Sequence, residues 1–252
     1  MSDDYDPTAY GANMAEEYDQ LWEGLVDTDP AVVCLADLAA GGPVLELGVG
    51  TGRLALPLAD RGLAVHGVDA SEDMLRQLKA KPGGASLPVS VGDFAEVHVP
   101  GSFSLVVLAL NTIFALPTQD AQVACFQNAA RHLDSGGRFV IEAWVPDPSG
   151  FSPAGSRVGV RRLTPTAVSL DVAELDPVEQ RMRTTQVSLR DGHLRLHPAN
   201  HRYAWPSELD LMARLAGMSR EHRWSGWSRA PFTAGSPAHV SVYRRPEQPQ
   251  PE

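Results

Sequence analysis

Residues 44–69 constrain the fold more than any other stretch: VLEL, then GVGTG, then an amphipathic run and a second apolar run closing on Asp69. A short apolar run that breaks into glycines at 48, 50 and 52 predicts a β-strand turning directly into a helix, because glycine adopts left-handed backbone and lets a ligand approach the chain closely. The helix behind such a turn offers free N–H groups, and an acidic residue about 20 positions on can accept both hydroxyls of a ribose. The unit therefore calls for a nucleoside-containing ligand.

Beyond it, helix 52–61, strand 63–68, helix 71–80, strand 88–91, strand 104–109, helix 118–133 and strand 137–143 alternate. Parallel strands need such crossovers, so the spacing predicts a doubly wound, Rossmann-like α/β sheet with helices on both faces. Its ligand belongs at the carboxyl ends of the strands. Met14, Tyr18, Leu21, Trp22 and Leu25 stand at helical spacing ahead of it, and Pro30 opens a second helix through Leu38. From Pro146 the texture changes to PDPSGFSPAGS and then to β-rich runs at 157–163, 167–174, 181–190 and 193–203, which predict an inserted antiparallel β subdomain with a turn at RDG. SELDLMARLAG returns to helix with Ser207 as its N-cap and Gly217 past its end. HVSVYRR predicts a last strand, and PEQPQPE a disordered tail.

Two details select the ligand. Gly48, Gly50 and Gly52 form G-x-G-x-G, whereas a dinucleotide fingerprint places its third glycine one residue later, where this chain has Arg53. Glu46, two residues before the first glycine, would repel a diphosphate but favour a sulfonium or an ammonium group, and S-adenosylmethionine carries both. With E-L-G-x-G-T-G-R after the first strand, D-x-S-x-x-M-L after the second and G-D-F after the third, the sequence resembles the class I S-adenosylmethionine-dependent methyltransferases over roughly residues 10–145, and among them bacterial secondary-metabolism enzymes with an inserted antiparallel sheet. The resemblance implies that Glu46 and Gly48, Gly50 and Gly52, with Arg53, hold the methionine part. It likewise implies that Asp69 binds the ribose, Ala70 and Met74 flank the adenine, Asp93 and Phe94 reach its edge, and Asn111 lines the methyl-transfer end. The chain then divides into a helical lid (1–40), an adenosylmethionine-binding core (41–145), the inserted sheet (146–205), a helix and strands completing the core (206–245) and the tail (246–252).

The methyl group arrives activated, so the chain has chiefly to align an acceptor and let its proton leave. After the fourth strand LNTIFA stands where many amino-methylating enzymes of nucleic acids and proteins carry N/D-P-P-Y, which removes that substrate class. Asn111, Phe114, Glu142 and Trp144 sit at the mouths of the fourth and fifth strands and are candidates for the acceptor pocket, joined by His201 and Tyr203 of the insertion. Glu142 is the best-placed proton acceptor, with His197, His201, Tyr203, His222 and His239 behind it. By resemblance, Tyr10 and Tyr18 close over the cofactor from the N-terminal helix. His197 and His201, about 13 Å apart along a strand, do not chelate a metal directly, so none is expected.

The net charge of -10 disfavours nucleic acid as a partner. No apolar run approaches the roughly 20 residues that cross a bilayer, and the acidic N-terminus lacks a secretory pattern, so the expected location is cytoplasmic and the expected partner a small molecule. Cys34 and Cys125 read as core residues, and the inserted sheet is a candidate surface for homo-oligomer contact. Two rival readings remain at this point. One is a nicotinamide-dependent oxidoreductase on the same fold. The other is a non-catalytic adenosylmethionine-binding protein using Trp144, Trp205, Trp224 and Trp227 as a partner surface.

Overall fold

The computed structural model describes residues 6, 8, 11, 14, 15, 18, 19, 27–190 and 192–247. Tyr10, Leu21, Trp22, Leu25 and the end of the expected tail lie outside them. The elements run α1 (Asp29–Ala39), β1 (Val44–Leu47), α2 (Ala55–Asp60), β2 (Val65–Asp69), α3 (Glu72–Ala80), β3 (Val89–Val91), β4 (Phe103–Leu108), α4 (Gln119–His132) and β5 (Leu133–Trp144). Then follow β6 (Ser156–Leu163), β7 (Ala167–Asp176), β8 (Arg181–Arg190), β9 (His193–Arg202), α5 (Pro206–Leu215), β10 (Ser219–Trp224) and β11 (Ala238–Arg244).

Seven strands form the main sheet in the order β10-β11-β5-β4-β1-β2-β3. Its five amino-terminal strands are parallel, while β11 runs antiparallel to β5 and to β10. Strand order reverses between β1 and β4, so a crevice opens beyond Leu47 and Leu108. Side chains alternate between two apolar layers. Leu45, Leu47, Val106, Leu108, Phe139 and Ile141 pack with α4 and α5, while Val44, Leu105, Val107 and Val140 pack with α1, α2 and α3. Burial on both faces explains why the central strands read as continuous apolar runs.

One local expectation differs from the structure, and one strand has no signal in the sequence pattern. Helix α5 starts at Pro206, with Trp205 rather than Ser207 at the N-cap, because a proline's fixed φ and missing N–H suit the first helical position. Strand β10 (SREHRW) shows no apolar alternation; it is a strand because β11 pairs with it at the sheet edge. The insertion is a four-stranded antiparallel sheet in the order β6-β7-β8-β9. Buried Arg202 at the end of β9 anchors it, donating to Gln122 Oε1 of α4 at 2.6 Å and to Glu208 Oε1 of α5 at 2.7 Å.

Candidate functional site

A cavity of about 990 Å³ lies between the crevice and the inserted sheet. Gly48, Gly50, Asp69, Ala70, Met74 and Phe94 line one end, and Asn111, Trp144 and His201 line the approach to the other. The glycine loop folds through φ of +67°, +53° and +84° at Gly48, Gly50 and Gly52. A Cβ at Gly48 would come within 2.8 Å of Thr112 Cγ2, whereas space opens around Gly50. Asp69 Oδ2 accepts from the Gly50 N–H at 2.8 Å and Oδ1 from the Ser71 N–H at 2.9 Å, so one carboxylate joins the loop to the start of α3. Burial raises its pKa against these hydrogen bonds. Lone pairs remain on both oxygens for hydroxyl donors.

The N-terminal segment closes one side. Gly11 packs so tightly that a Cβ would fall 2.2 Å from Ser71 Oγ, and Met14, Ala15 and Tyr18 cluster on Met74. Asp19 accepts from Thr51 Oγ1 at 2.7 Å and pairs with Lys81 Nζ at 2.6 Å, while Lys81 also donates to the Thr51 carbonyl at 2.8 Å. Sequence patterning missed Gly11, Asp19, Thr51 and Lys81, since the contacts join segments far apart in the chain. Asp19→Ala is expected to speed release of adenosylmethionine about three- to tenfold, the modest effect of a half-exposed ion pair plus one hydrogen bond. Stopped-flow displacement measures it; an unchanged release rate would show that the clasp does not hold the ligand.

At the other end, Leu110 and Asn111 are consecutive left-handed residues, with φ of +51° and +63°. Such backbone costs about 1–2 kcal/mol per residue unless its surroundings enforce it. Here Glu142 Oε2 accepts from the Leu110 N–H at 2.9 Å, the Glu142 carbonyl accepts from the Asn111 N–H at 3.0 Å, and Asn111 Oδ1 accepts from the Trp144 N–H at 2.7 Å. Trp227 Nε1 fills Glu142 Oε1 at 2.6 Å. Glu142 is thus a brace behind the wall: each oxygen holds a protein donor and, unlike Asp69, the residue does not line the cavity, so it is not placed as the proton acceptor its strand position suggested. Glu142→Gln turns one of these contacts into a donor–donor clash. A roughly tenfold fall in kcat with donor affinity kept within twofold is expected. A lost limb in the pH–rate profile at unchanged thermal midpoint would restore the proton-acceptor role.

Several other candidates sit off the cavity wall. Phe114 is wholly buried in the core, its ring 4.7 Å from that of Trp144. Tyr203 is buried and lines a neighbouring cavity of about 220 Å³ with Trp144 and Met182. Asp93 Oδ1 caps the Ala95 N–H at 2.8 Å. Gly52 is pinned against Leu56, and Arg53 reaches Thr28 Oγ1 at 3.5 Å. Glu46 is buried beneath the loop, where desolvation raises its pKa to about 8 against the opposing Arg53 charge and an Ala55 N–H hydrogen bond; its Oε2 has no partner. His239 is buried and bonded to Ser241, and His222 stacks on Trp224 at 5.0 Å. The four tryptophans make no common surface: Trp144 lines the cavity, Trp227 serves Glu142, Trp224 is sandwiched by His222 and Arg229, and only Trp205 is exposed.

His201 does line the cavity. Burial pushes its imidazole down to about 4, and its Nδ1 is buried without a partner. The Thr184 hydroxyl has one hydrogen and can give it to the Ala199 carbonyl at 3.4 Å, which leaves its oxygen to accept from His201 Nε2, also at 3.4 Å. Among the described residues, no group of three or more His, Cys, Asp or Glu could hold a metal ion, and no helix is long and apolar enough to cross a membrane.

The site fits an adenosyl sulfonium ligand. A ribose-competent carboxylate, an apolar wall of Met74 and Phe94, open space at Gly50 and an orphaned carboxyl oxygen below the loop occur together. A methyltransferase-domain family model matches residues 44–137. The chain is 28% identical over 254 residues to the cypemycin N-terminal methyltransferase of a Streptomyces species, spanning 95% of this chain and 99% of that one. It is similar to the CcbJ methyltransferase of Streptomyces caelestis, with a TM-score of 0.89 and 41% identity over 96% of this chain and 100% of the other. Adenosylmethionine-bound CalS10, an amino pentose methyltransferase of Micromonospora echinaspora involved in calicheamicin biosynthesis, shares the fold at a TM-score of 0.69 and 19% identity, over 90% of this chain and 96% of its own.

Proposed function

This chain belongs to the S-adenosylmethionine-dependent methyltransferases, and on that premise we propose that it methylates an amine nitrogen of a small natural-product or sugar intermediate. Membership removes the nicotinamide-dependent and non-catalytic readings. The observation that carries the choice of nitrogen is the wall at the transfer end: Leu110, Asn111, Trp144, Leu175, Met182 and His201. Of these only His201 carries an ionisable side chain, and burial pushes it down to about 4, which makes it a feeble base. A hydroxyl acceptor would need a stronger base to take its proton. An amine that has lost its ammonium proton to water brings its own lone pair. The names of two similar proteins, an N-terminal methyltransferase and an amino pentose methyltransferase, support the same choice.

When bound, adenosylmethionine supplies a methyl group activated on a sulfonium. The chain's own tasks are then binding and alignment. Asp69 and the loop amides hold the nucleoside, Met74 and Phe94 cover the adenine, and Tyr18 closes the side of the cavity next to Met74. The turn braced by Glu142 fixes where the acceptor meets the methyl group. Self-association is assigned to the outer face of the inserted sheet, where Val158, Val160, Leu163, Leu194 and Leu196 are exposed; sedimentation of a Val160→Lys variant as the same species as wild type would refute it.

The test is a panel of amines and matched alcohols with labelled adenosylmethionine. Amines should gain a methyl group at rates that rise with pH through each amine's own pKa, and the alcohols should remain unmodified. Comparable methylation of the alcohols would overturn the assignment to nitrogen.

A further inference from the structure

The inserted sheet turns the opposite face to the protein from the one packing alone would choose. Cross-strand register puts Val158, Val160 and Leu163 of β6, Leu189 of β8 and Leu194 and Leu196 of β9 on one face, and all six are exposed. The other face carries three cross-strand rows, Asp171–Gln186–His197, Ala173–Thr184–Ala199 and Leu175–Met182–His201, and all of these residues except Ala173 line the cavity. A sheet that served only to cover the core would bury its valines and leucines there. Polar side chains on the cavity side need a polar occupant.

The three rows differ in character. Leu175 and Met182 pack with Trp144, whose N–H is held by Asn111, so their row borders the transfer end. Asp171 lies four residues back along β7, which at 3.3 Å per residue is ~13 Å away. That separation exceeds a single sugar ring. Arg161 Nη1 stands 3.6 Å from Asp171 Oδ1, so the two charges largely cancel, and Gln186 Nε2 donates to Ser169 Oγ at 3.1 Å. Asp171, Arg161, Gln186 and His197 all line the cavity. A second ammonium on the ligand would find Asp171 already paired, and a phosphate would meet the carboxylate. Hydroxyls donate and accept at once and carry no charge, which suits a neutral array of mixed donors and acceptors.

We propose that Asp171, Gln186 and His197, with Arg161, form a second recognition subsite that holds a hydroxyl-rich unit, such as a glycosyl ring, of an acceptor whose methylated nitrogen lies at the Trp144 end. The inference rests on the methyltransferase reading above and names the second half of its substrate. The subsite would act on affinity for the acceptor and not on the chemical step.

The test uses the full chain loaded with S-adenosylhomocysteine and two probes, glucosamine and a disaccharide of glucosamine linked to glucose, with affinities read by calorimetry or ligand-observed NMR. Wild type should bind the disaccharide at least about tenfold tighter than glucosamine. Asp171→Asn and Gln186→Ala should each remove that advantage while leaving glucosamine and S-adenosylhomocysteine binding unchanged, which also shows that the variants are folded. Equal affinity of wild type for the two probes, or an advantage retained in both variants, overturns the subsite. Failure of wild type to bind S-adenosylhomocysteine would instead overturn the reading on which it rests.

Discussion

Asp69→Ala is expected to weaken adenosylmethionine and S-adenosylhomocysteine binding at least about a hundredfold, roughly 3 kcal/mol. The size follows from two losses at once. The carboxylate is the tether between the Gly50 and Ser71 amides, so its removal frees the loop and leaves two backbone donors of a buried site unsatisfied. The same oxygens are the acceptors proposed for the ribose hydroxyls, and charge-assisted hydrogen bonds are the stronger kind. The two losses can be separated. An S-adenosylhomocysteine analogue lacking both ribose hydroxyls should bind wild type weakly and, on going to Asp69→Ala, lose only the share due to the freed loop, because the ribose contact is already absent. Undiminished calorimetric affinity of the variant for the natural ligand would sink the ribose assignment. Full additivity of the two changes would confine Asp69 to holding the loop.

The cofactor end was legible in the sequence because its chemistry is local. Strand, glycine spacing and acidic strand end all fall within residues 44–69, and the backbone conformations at Gly48, Gly50 and Gly52 are ones that glycine alone adopts easily. The insertion was legible too, since alternation and turn residues mark antiparallel strands. The acceptor end was not. Glu142 and Phe114 sit at the strand mouths that the fold rule designates, yet Glu142 faces two donors arriving from Leu110 and Trp227, and Phe114 turns inward in a tight turn. Which way a side chain faces past the last strand residue depends on a turn strained at two non-glycine residues, and no propensity predicts that. Asp171 and Gln186 went unnoticed for a different reason, and His197 stood out only as a proton-acceptor or metal candidate. A polar residue on a half-exposed strand looks like a solvated one until the sheet is laid over a cavity.

Glu46 gives the second large effect, and its sign depends on what is bound. With no ligand, burial holds the carboxyl pKa at about 8 against an ordinary 4.5, and Oε2 has no hydrogen-bond partner. The folded state then holds a proton that the unfolded state releases. The stability this contributes is complete below pH 4.5, drains as pH rises and is gone above about 8. At about 1.4 kcal/mol per pKa unit the loss across that window amounts to several kcal/mol. Glu46→Gln keeps the shape and cannot ionise, so the ligand-free variant should melt higher than wild type at pH 8, with the gap closing on acidification to pH 5. Adenosylmethionine should reverse the order. Its ammonium and sulfonium charges favour the ionised carboxylate, so wild type recovers the lost stability on binding and the neutral glutamine does not. The expected result near neutral pH is a variant that is more stable empty yet binds adenosylmethionine about tenfold more weakly, read by thermal melts and calorimetry over a pH series. A variant less stable empty and unchanged in affinity would make Glu46 a structural strut for the loop, tied to the Ala55 N–H and to nothing on the ligand.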